Sequence, residues 1–192
     1  YYFNSNHSTE NFISNILACI SVLFLLNLNL NIIKNKFINF KIPSGRGDIK
    51  VIKKFNKKFK FIDESYNANP LSMLSAIKNM NFYKRKNNSK KIILLGDMLE
   101  LGKKTRKYHR ELSKIINKSD VDKVFVYGKH IKETFKSITR SKRGKIFTNL
   151  KEAHNHFCNI INNNDLLMVK GSNATGLNQF SKNIKKEQIN AI

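Results

Sequence analysis

Apolar residues along this chain gather in short dense runs separated by amphipathic stretches, and the spacing predicts most of the elements. The run KIILL at 91–95 stops at Gly96-Asp97 and reads as a parallel strand buried on both faces. Similar short runs at 123–127, 145–147 and 166–169 predict further strands. Upstream, 48–55 and 58–63 read as two strands joined by a lysine-rich turn around Asn56 and Lys57. Between the runs, Met73, Leu74, Ile77 and Met80 recur at helical spacing and predict a helix from Pro70 to about Lys84. Helices are likewise expected over 104–117, 129–137, 150–162 and 177–186. Strand and helix alternating in this way predict an α/β fold: a Rossmann-like, mostly parallel sheet with helices on both faces and right-handed crossovers.

The first 40 residues follow a different pattern. Residues 11–30, NFISNILACISVLFLLNLNL, are the most apolar stretch, but the uninterrupted part from Ile16 to Leu26 falls short of the about 20 residues that a membrane span needs. A buried core helix is the expectation, followed by a short second helix over 31–40 carrying Ile32, Ile33, Phe37 and Phe40. The segment KIPSGRGD at 41–48 interrupts the pattern with Pro43, Gly45 and Gly47, which places a domain boundary there. Residues 1–47 then read as the tail of one domain and 48–192 as the Rossmann-like domain.

Composition changes this picture little. With 36 basic and 13 acidic residues the chain carries a formal charge of +23, which raises polyanions as partners. The lysines are spread through nearly every segment among equally frequent Asn and Ile, as in a whole-chain bias. No zinc-finger spacing, basic heptad or aromatic RNA-binding strand accompanies them, so no nucleic-acid partner is expected. Cys19 and Cys158 lie far apart in apolar contexts and suggest neither a disulfide framework nor a metal pair. With no secretory leader pattern, the expectation is a cytoplasmic monomer without a membrane partner. The opening YYFNSN, without methionine, suggests a piece of a longer polypeptide.

Chemistry concentrates after three of the predicted strands: DESYNANP at 63–70, GDMLELG at 96–102 and KGSN at 170–173. In a doubly wound sheet these loops fall on the same carboxyl edge, which makes one site of three distant segments. Each also has an ordinary reading. The first is compatible with a plain βα turn, Asp97 with a helix N-cap, and His109, on the helix that follows, with a surface or core histidine. Lys170, Ser172 and Asn173 supply a cation, a hydroxyl and an amide that suit a carboxylate or phosphate. Arg46, between two glycines, carries a fork that suits phosphate oxygens. Neither GxxxxGK[ST] nor a spaced GxGxxG occurs, so the chain has no phosphate-cradling loop of the P-loop kind.

In order and spacing, NILA at Asn15, GRG at Gly45, DESYNANP, LLGDMLELG, His109, VYG at Tyr127 and MVKGSN resemble the Mur ligases over almost the whole chain. SYNANP resembles in particular the branch that adds D-alanyl-D-alanine to UDP-MurNAc-tripeptide, because branches for other amino acids carry different residues there. The resemblance implies that residues 1–47 end a central ATPase domain and that the rest is the C-terminal domain. It also implies ATP and Mg2+ as cofactors, with an acyl phosphate that the dipeptide amine attacks. The P-loop and the metal ligands would then lie upstream, and this stretch alone is not expected to catalyse ligation. By motif position Asn15 would lie near the adenine, Arg46 at the phosphates, and Asp63 and Glu64 near the ribose. Tyr66, Asn67 and Asn69 would line the cleft, while Asp97, Glu100, Lys170, Ser172 and Asn173 would face the dipeptide. Asn11 and Phe12 stand where the family commonly has His-Asn, and His7 is further upstream. The alternatives are another Mur-type amino-acid ligase and a non-catalytic basic module binding nucleotides or nucleic acid.

Overall fold

The computed structural model describes residues 2–5, 10–86 and 88–186, and the chain divides into two compact units, Tyr1–Ile42 and Pro43–Ile192. His7 lies outside the described residues. The first unit holds helix α1 (Glu10–Leu25) and a single 3-10 turn at Leu30–Ile33. The expectation of a buried core helix is not met within this chain. Leu17, Val22, Phe24 and Leu25 are all more than half exposed, and Leu30 is the only buried residue among those described in this unit. A unit of this size has no second layer with which to enclose an apolar helix. The second expected helix is reduced to the 3-10 turn, which Asn29 caps through its Oδ1, accepting the Asn31 N–H at 3.0 Å. The residues after it continue in tight turns, as where the Lys36 N–H donates to the Ile33 carbonyl at 3.0 Å. Among the described residues no helix is long and apolar enough to cross a membrane.

In the second unit a six-stranded sheet is built from β1 (Asp48–Lys54), β2 (Lys57–Glu64), β3 (Lys91–Gly96), β4 (Lys123–Tyr127), β5 (Arg143–Phe147) and β6 (Leu166–Lys170). Their order is β1-β2-β6-β3-β4-β5. Only β1 runs antiparallel to its neighbour, and every other pairing is parallel. Positive φ at Phe55 (57°) and Asn56 (56°) closes the β1–β2 hairpin, one residue earlier than the turn expected at Asn56 and Lys57 and with the backbone twist that two-residue hairpins favour.

Five helices cover the sheet: α2 (Pro70–Asn79), α3 (Thr105–Lys118), α4 (Lys132–Ser137), α5 (Leu150–Ile160) and α6 (Leu177–Lys185). The period-two alternation of the strands sorts their side chains between two cores. Ile93 and Leu95 of β3, with Val124 and Val126 of β4, pack under Met73 and Ile77 of α2 and Leu112 and Ile116 of α3. On the opposite face Ile92, Leu94 and Phe125 meet Phe157 of α5 and Leu177, Phe180 and Ile184 of α6. This is the expected α/β architecture, with helices on both faces.

The amino ends of the parallel strands are stitched by buried or half-buried carboxylates. Asp165 accepts the N–H groups of Lys90 at 2.7 Å and Asn162 at 2.8 Å, and Asp122 accepts the Lys91 N–H at 2.7 Å while pairing with Arg85. With that edge tied down, the carboxyl edge is where loops of varied length can be displayed.

Replacing Phe157, which is fully buried against Phe125, Phe147 and Phe180, by alanine should cost about 3–5 kcal/mol of unfolding free energy in urea melts. The same truncation at Leu71, which is 79% exposed, should stay within about 0.5 kcal/mol.

Candidate functional site

Three loops meet at the carboxyl edge because β6 is inserted between β2 and β3. Lys170, the last residue of β6, stands opposite Glu64 at the end of β2 and opposite Leu95 near the end of β3. The residue is 2% exposed, and its ammonium donates to the carbonyl of Asn67 at 3.0 Å and to Glu64 Oε2 at 3.3 Å. Burial holds the Lys170 pKa below the usual lysine value, and the Glu64 carboxylate opposes that shift. Ser172, two residues on, joins the other two loops. Its Oγ accepts the Leu99 N–H at 3.0 Å and donates to the Ala68 carbonyl at 3.3 Å. Its own N–H reaches the Asp97 carbonyl at 3.0 Å.

The polar residues of the first loop divide between local architecture and display. Asp63 is buried: Oδ1 accepts the Ser65 N–H at 3.1 Å and the Ser65 hydroxyl at 2.6 Å, and Oδ2 pairs with Lys185 of α6. Asn69 caps α2, its Oδ1 accepting the Ser72 N–H at 2.8 Å while the Ser72 hydroxyl accepts the Asn69 N–H at 3.1 Å, a reciprocal capping box with Pro70 in the first turn. Tyr66 and Asn67 are exposed. Over the Tyr66 ring, at 4.1 Å from its centroid, lies the guanidinium of Arg46, a cation–π contact that leaves an exposed cation at the loop edge.

The second loop carries the clearest departure from the outward-facing role expected of Asp97. Its buried carboxylate accepts three backbone N–H groups, from Lys129 at 2.9 Å and from His130 and Ile131 at 2.9 and 2.7 Å. A cap was foreseen, but for the helix that follows Asp97 in sequence. The amides it binds lead instead into α4, and they delay the start of that helix to Lys132, beyond the expected Lys129. Glu100 is exposed, with φ of 62°, a left-handed conformation costing a non-glycine residue about 1 kcal/mol. His109 is a core histidine: Nε2 accepts the Met98 N–H at 3.0 Å, so Nδ1 carries the proton and donates to the Thr105 carbonyl at 2.8 Å.

The structure therefore brings together Arg46, Asp63, Glu64, Tyr66, Asn67, Asp97, Lys170 and Ser172 through contacts among the loops and α6, while Asn69 bonds only within the first turn of α2. Glu100 and Asn173 are exposed in the same loops. Asn15 belongs to the first unit, exposed on α1. Ser65 and Lys185 were not singled out from the sequence. The serine sits inside the conspicuous motif, whereas the lysine is one of several along α6 and carries no sequence signal. Among the described residues no group of three or more His, Cys, Asp or Glu side chains could hold a metal ion. Chemically, Arg46 offers a phosphate clamp, Asn67 and Asn173 offer amides, and Glu64 and Glu100 offer carboxylates. Asp63, Asp97, Lys170 and Ser172 have their polar atoms engaged within the protein.

A family model, the Mur ligase, glutamate ligase domain, matches residues 49–173. The UDP-N-acetylmuramoyl-tripeptide--D-alanyl-D-alanine ligase of Buchnera aphidicola subsp. Baizongia pistaciae is 34% identical over 180 residues, 91% of this chain and 36% of that protein. The protein of the same name from Rickettsia prowazekii is 26% identical over 171 residues, 89% of this chain and 36% of its own. The chain thus spans a little over a third of the length of these relatives. Two solved structures share the fold at 20% identity. MurF from Acinetobacter baumannii superposes with a TM-score of 0.77, over 95% of this chain and 39% of that one. MurF ligase from Thermotoga maritima in complex with ADP superposes with a TM-score of 0.73, over 94% of this chain and 40% of that one.

Burial holds the His109 pKa below the ordinary imidazole value, outweighing the Thr105 carbonyl and the Asp97 charge that favour protonation. Between the folded and unfolded pKa the unfolded state binds more protons, so stability rises with pH. The contribution should be complete above about pH 6.5 and be lost progressively as pH falls below it. Urea melts at pH 7.5 and 5 should show this loss, and the loss should shrink in His109→Gln. A remainder of the same sign is expected from His156, whose pKa is also lowered by burial.

Proposed function

Because the chain belongs to the Mur ligase family, we propose that it is the C-terminal part of an ATP-dependent ligase that adds D-alanyl-D-alanine to UDP-MurNAc-tripeptide. In that reaction the tripeptide carboxylate takes the γ-phosphoryl group of ATP, releasing ADP. The dipeptide amine then attacks the acyl phosphate and releases phosphate. Relatives carrying that activity in their names match about nine-tenths of this chain, and both substrates belong to cytoplasmic precursor synthesis. In this reading residues 1–47 end the central ATPase domain and residues 48–192 form the C-terminal domain. ATP and Mg2+ are shared with the upstream part, where the P-loop and the metal ligands belong.

The observation that carries the assignment within this chain is the exposed Arg46 guanidinium, stacked on Tyr66 at an edge built from three loops. Its fork suits the phosphate oxygens of a nucleotide, and stacking holds it in place before a ligand arrives. Glu64 is assigned to the nucleotide side and Asn15 to the adenine. Tyr66, Asn67, Glu100 and Asn173 are assigned to the cleft and the dipeptide. Asp63, Asn69, Asp97, Lys170 and Ser172, engaged as they are in internal bonds, support the site by holding those groups in register rather than by touching substrate.

The test is phosphate release by the full polypeptide that carries this chain. Release should require ATP, UDP-MurNAc-tripeptide and D-alanyl-D-alanine together. Arg46→Ala should lower kcat/KM for ATP by roughly 10–100-fold with little change in unfolding midpoint. Release driven by a single amino acid in place of the dipeptide would move the protein to a neighbouring branch of the family. No release with any of these amines would end the ligase reading.

A further inference from the structure

Among the buried and half-buried charges at the loop edge, Lys185 stands apart because it comes from outside all three loops. It is the last residue of α6, and its ammonium lies between three groups: Asp63 Oδ2, the Ser44 hydroxyl at 2.7 Å and Asp48 Oδ2 at 3.8 Å. Ser44 and Asp48 bracket the turn that carries Arg46. Three further bonds of that turn lead back to the same place. Gly45 N–H donates to Asp48 Oδ1 at 3.1 Å, Gly47 N–H to the Asp63 carbonyl at 2.7 Å, and Tyr66 N–H to the Gly45 carbonyl at 3.0 Å. The turn also depends on its two glycines. Gly45 and Gly47 sit at φ of 83° and 95°, and a Cβ on Gly45 would stand 3.0 Å from the Tyr66 Cβ, while one on Gly47 would stand 2.9 Å from Glu64 Oε1.

We propose that Lys185 is a positioning residue for the phosphate clamp: by neutralising Asp63 and Asp48 together and binding Ser44, it holds the 43–48 turn in the one conformation that lays Arg46 over Tyr66. This rests on the reading of Arg46 as a nucleotide-phosphate ligand, but its structural half does not. A carboxylate as buried as Asp63 needs a cation, and a cation drawn from α6 makes the placement of Arg46 depend on the docking of the last helix.

Two measurements separate the halves. In hydrogen exchange on this chain, Lys185→Met should speed exchange of the Gly45, Gly47 and Tyr66 amides by about tenfold or more while the β3 amides keep their protection. Lys185→Arg should restore most of it. If removing one partner of the pair unfolds the chain, the double variant Asp63→Asn/Lys185→Met, which removes the Asp63 charge and leaves Asp48 with Lys50 at 3.8 Å, answers the same question. In the full polypeptide, Lys185→Met should raise KM for ATP by about tenfold with KM for D-alanyl-D-alanine unchanged, and Lys185→Arg should bring it back. Unchanged exchange at the turn in both Lys185→Met and the double variant overturns the proposal, whatever the activity. Faster exchange with an unmoved KM for ATP in an active ligase overturns the clamp half. Faster exchange in a protein without ligase activity upholds the positioning role and removes the ligase reading instead.

Discussion

The site depends on one strand pairing. The crossover from β2 to β3 skips a position in the sheet, and β6, the last strand, fills it with hydrogen bonds on both sides. This insertion sets Lys170 level with Glu64 and places Ser172 where it can bond both neighbouring loops. Parallel pairing is slow to form because its partners are distant in sequence, and here the strand that completes it begins 70 residues beyond the end of β3. Until β6 docks, the first and second loops have no common partner. The final third of the chain is therefore as much a part of the site as the motif that first draws attention.

The polar residues of the edge divide by burial. Removing a charge from water is expensive unless every lone pair or proton finds a partner. Asp63, Asp97 and Lys170 meet that condition through backbone groups and a neighbouring ion, and they are left with little to offer a ligand. Arg46, Tyr66, Asn67, Glu100 and Asn173 remain in water. For a ligase of the proposed kind this is an economical plan, since its chemistry depends chiefly on holding a phosphate and an amine in place. An interior set of charges bonded to one another and to the backbone fixes the frame, and a smaller outer set faces solvent.

Much of this was legible in the sequence, for physical reasons that can be named. Short apolar runs closed by turn residues, such as IILL before Gly96-Asp97, suit buried strands better than helices, and the amphipathic stretches between them mark where the helices lie. Together these place the three polar loops on one edge. The start of α2 at Pro70 is likewise local, although Asn69, expected in the cleft, turns out to cap that helix. What escaped was non-local. Asp97 looked like a cap for its own helix, and nothing near it in sequence points to the amides at 129–131. Lys185 is one lysine among many until α6 is laid against β1 and β2. The first unit misled because apolar composition was read as burial, which requires a second layer that these 42 residues do not contain.

With 36 basic residues and 13 acidic ones, most cations cannot have a carboxylate of their own. The few carboxylates are concentrated where the fold needs an acceptor: Asp48 and Asp63 at Lys185, Glu64 at Lys170, Asp97 under α4, and Asp120, Asp122 and Asp165 along the amino edge of the sheet. The surplus positive charge must instead be balanced by small anions from solution, which makes the folded chain a polyelectrolyte as well as a globule. Losing one more carboxylate would act twice, removing a bond that shapes the backbone and deepening the repulsion among lysines that the surrounding ions already have to screen.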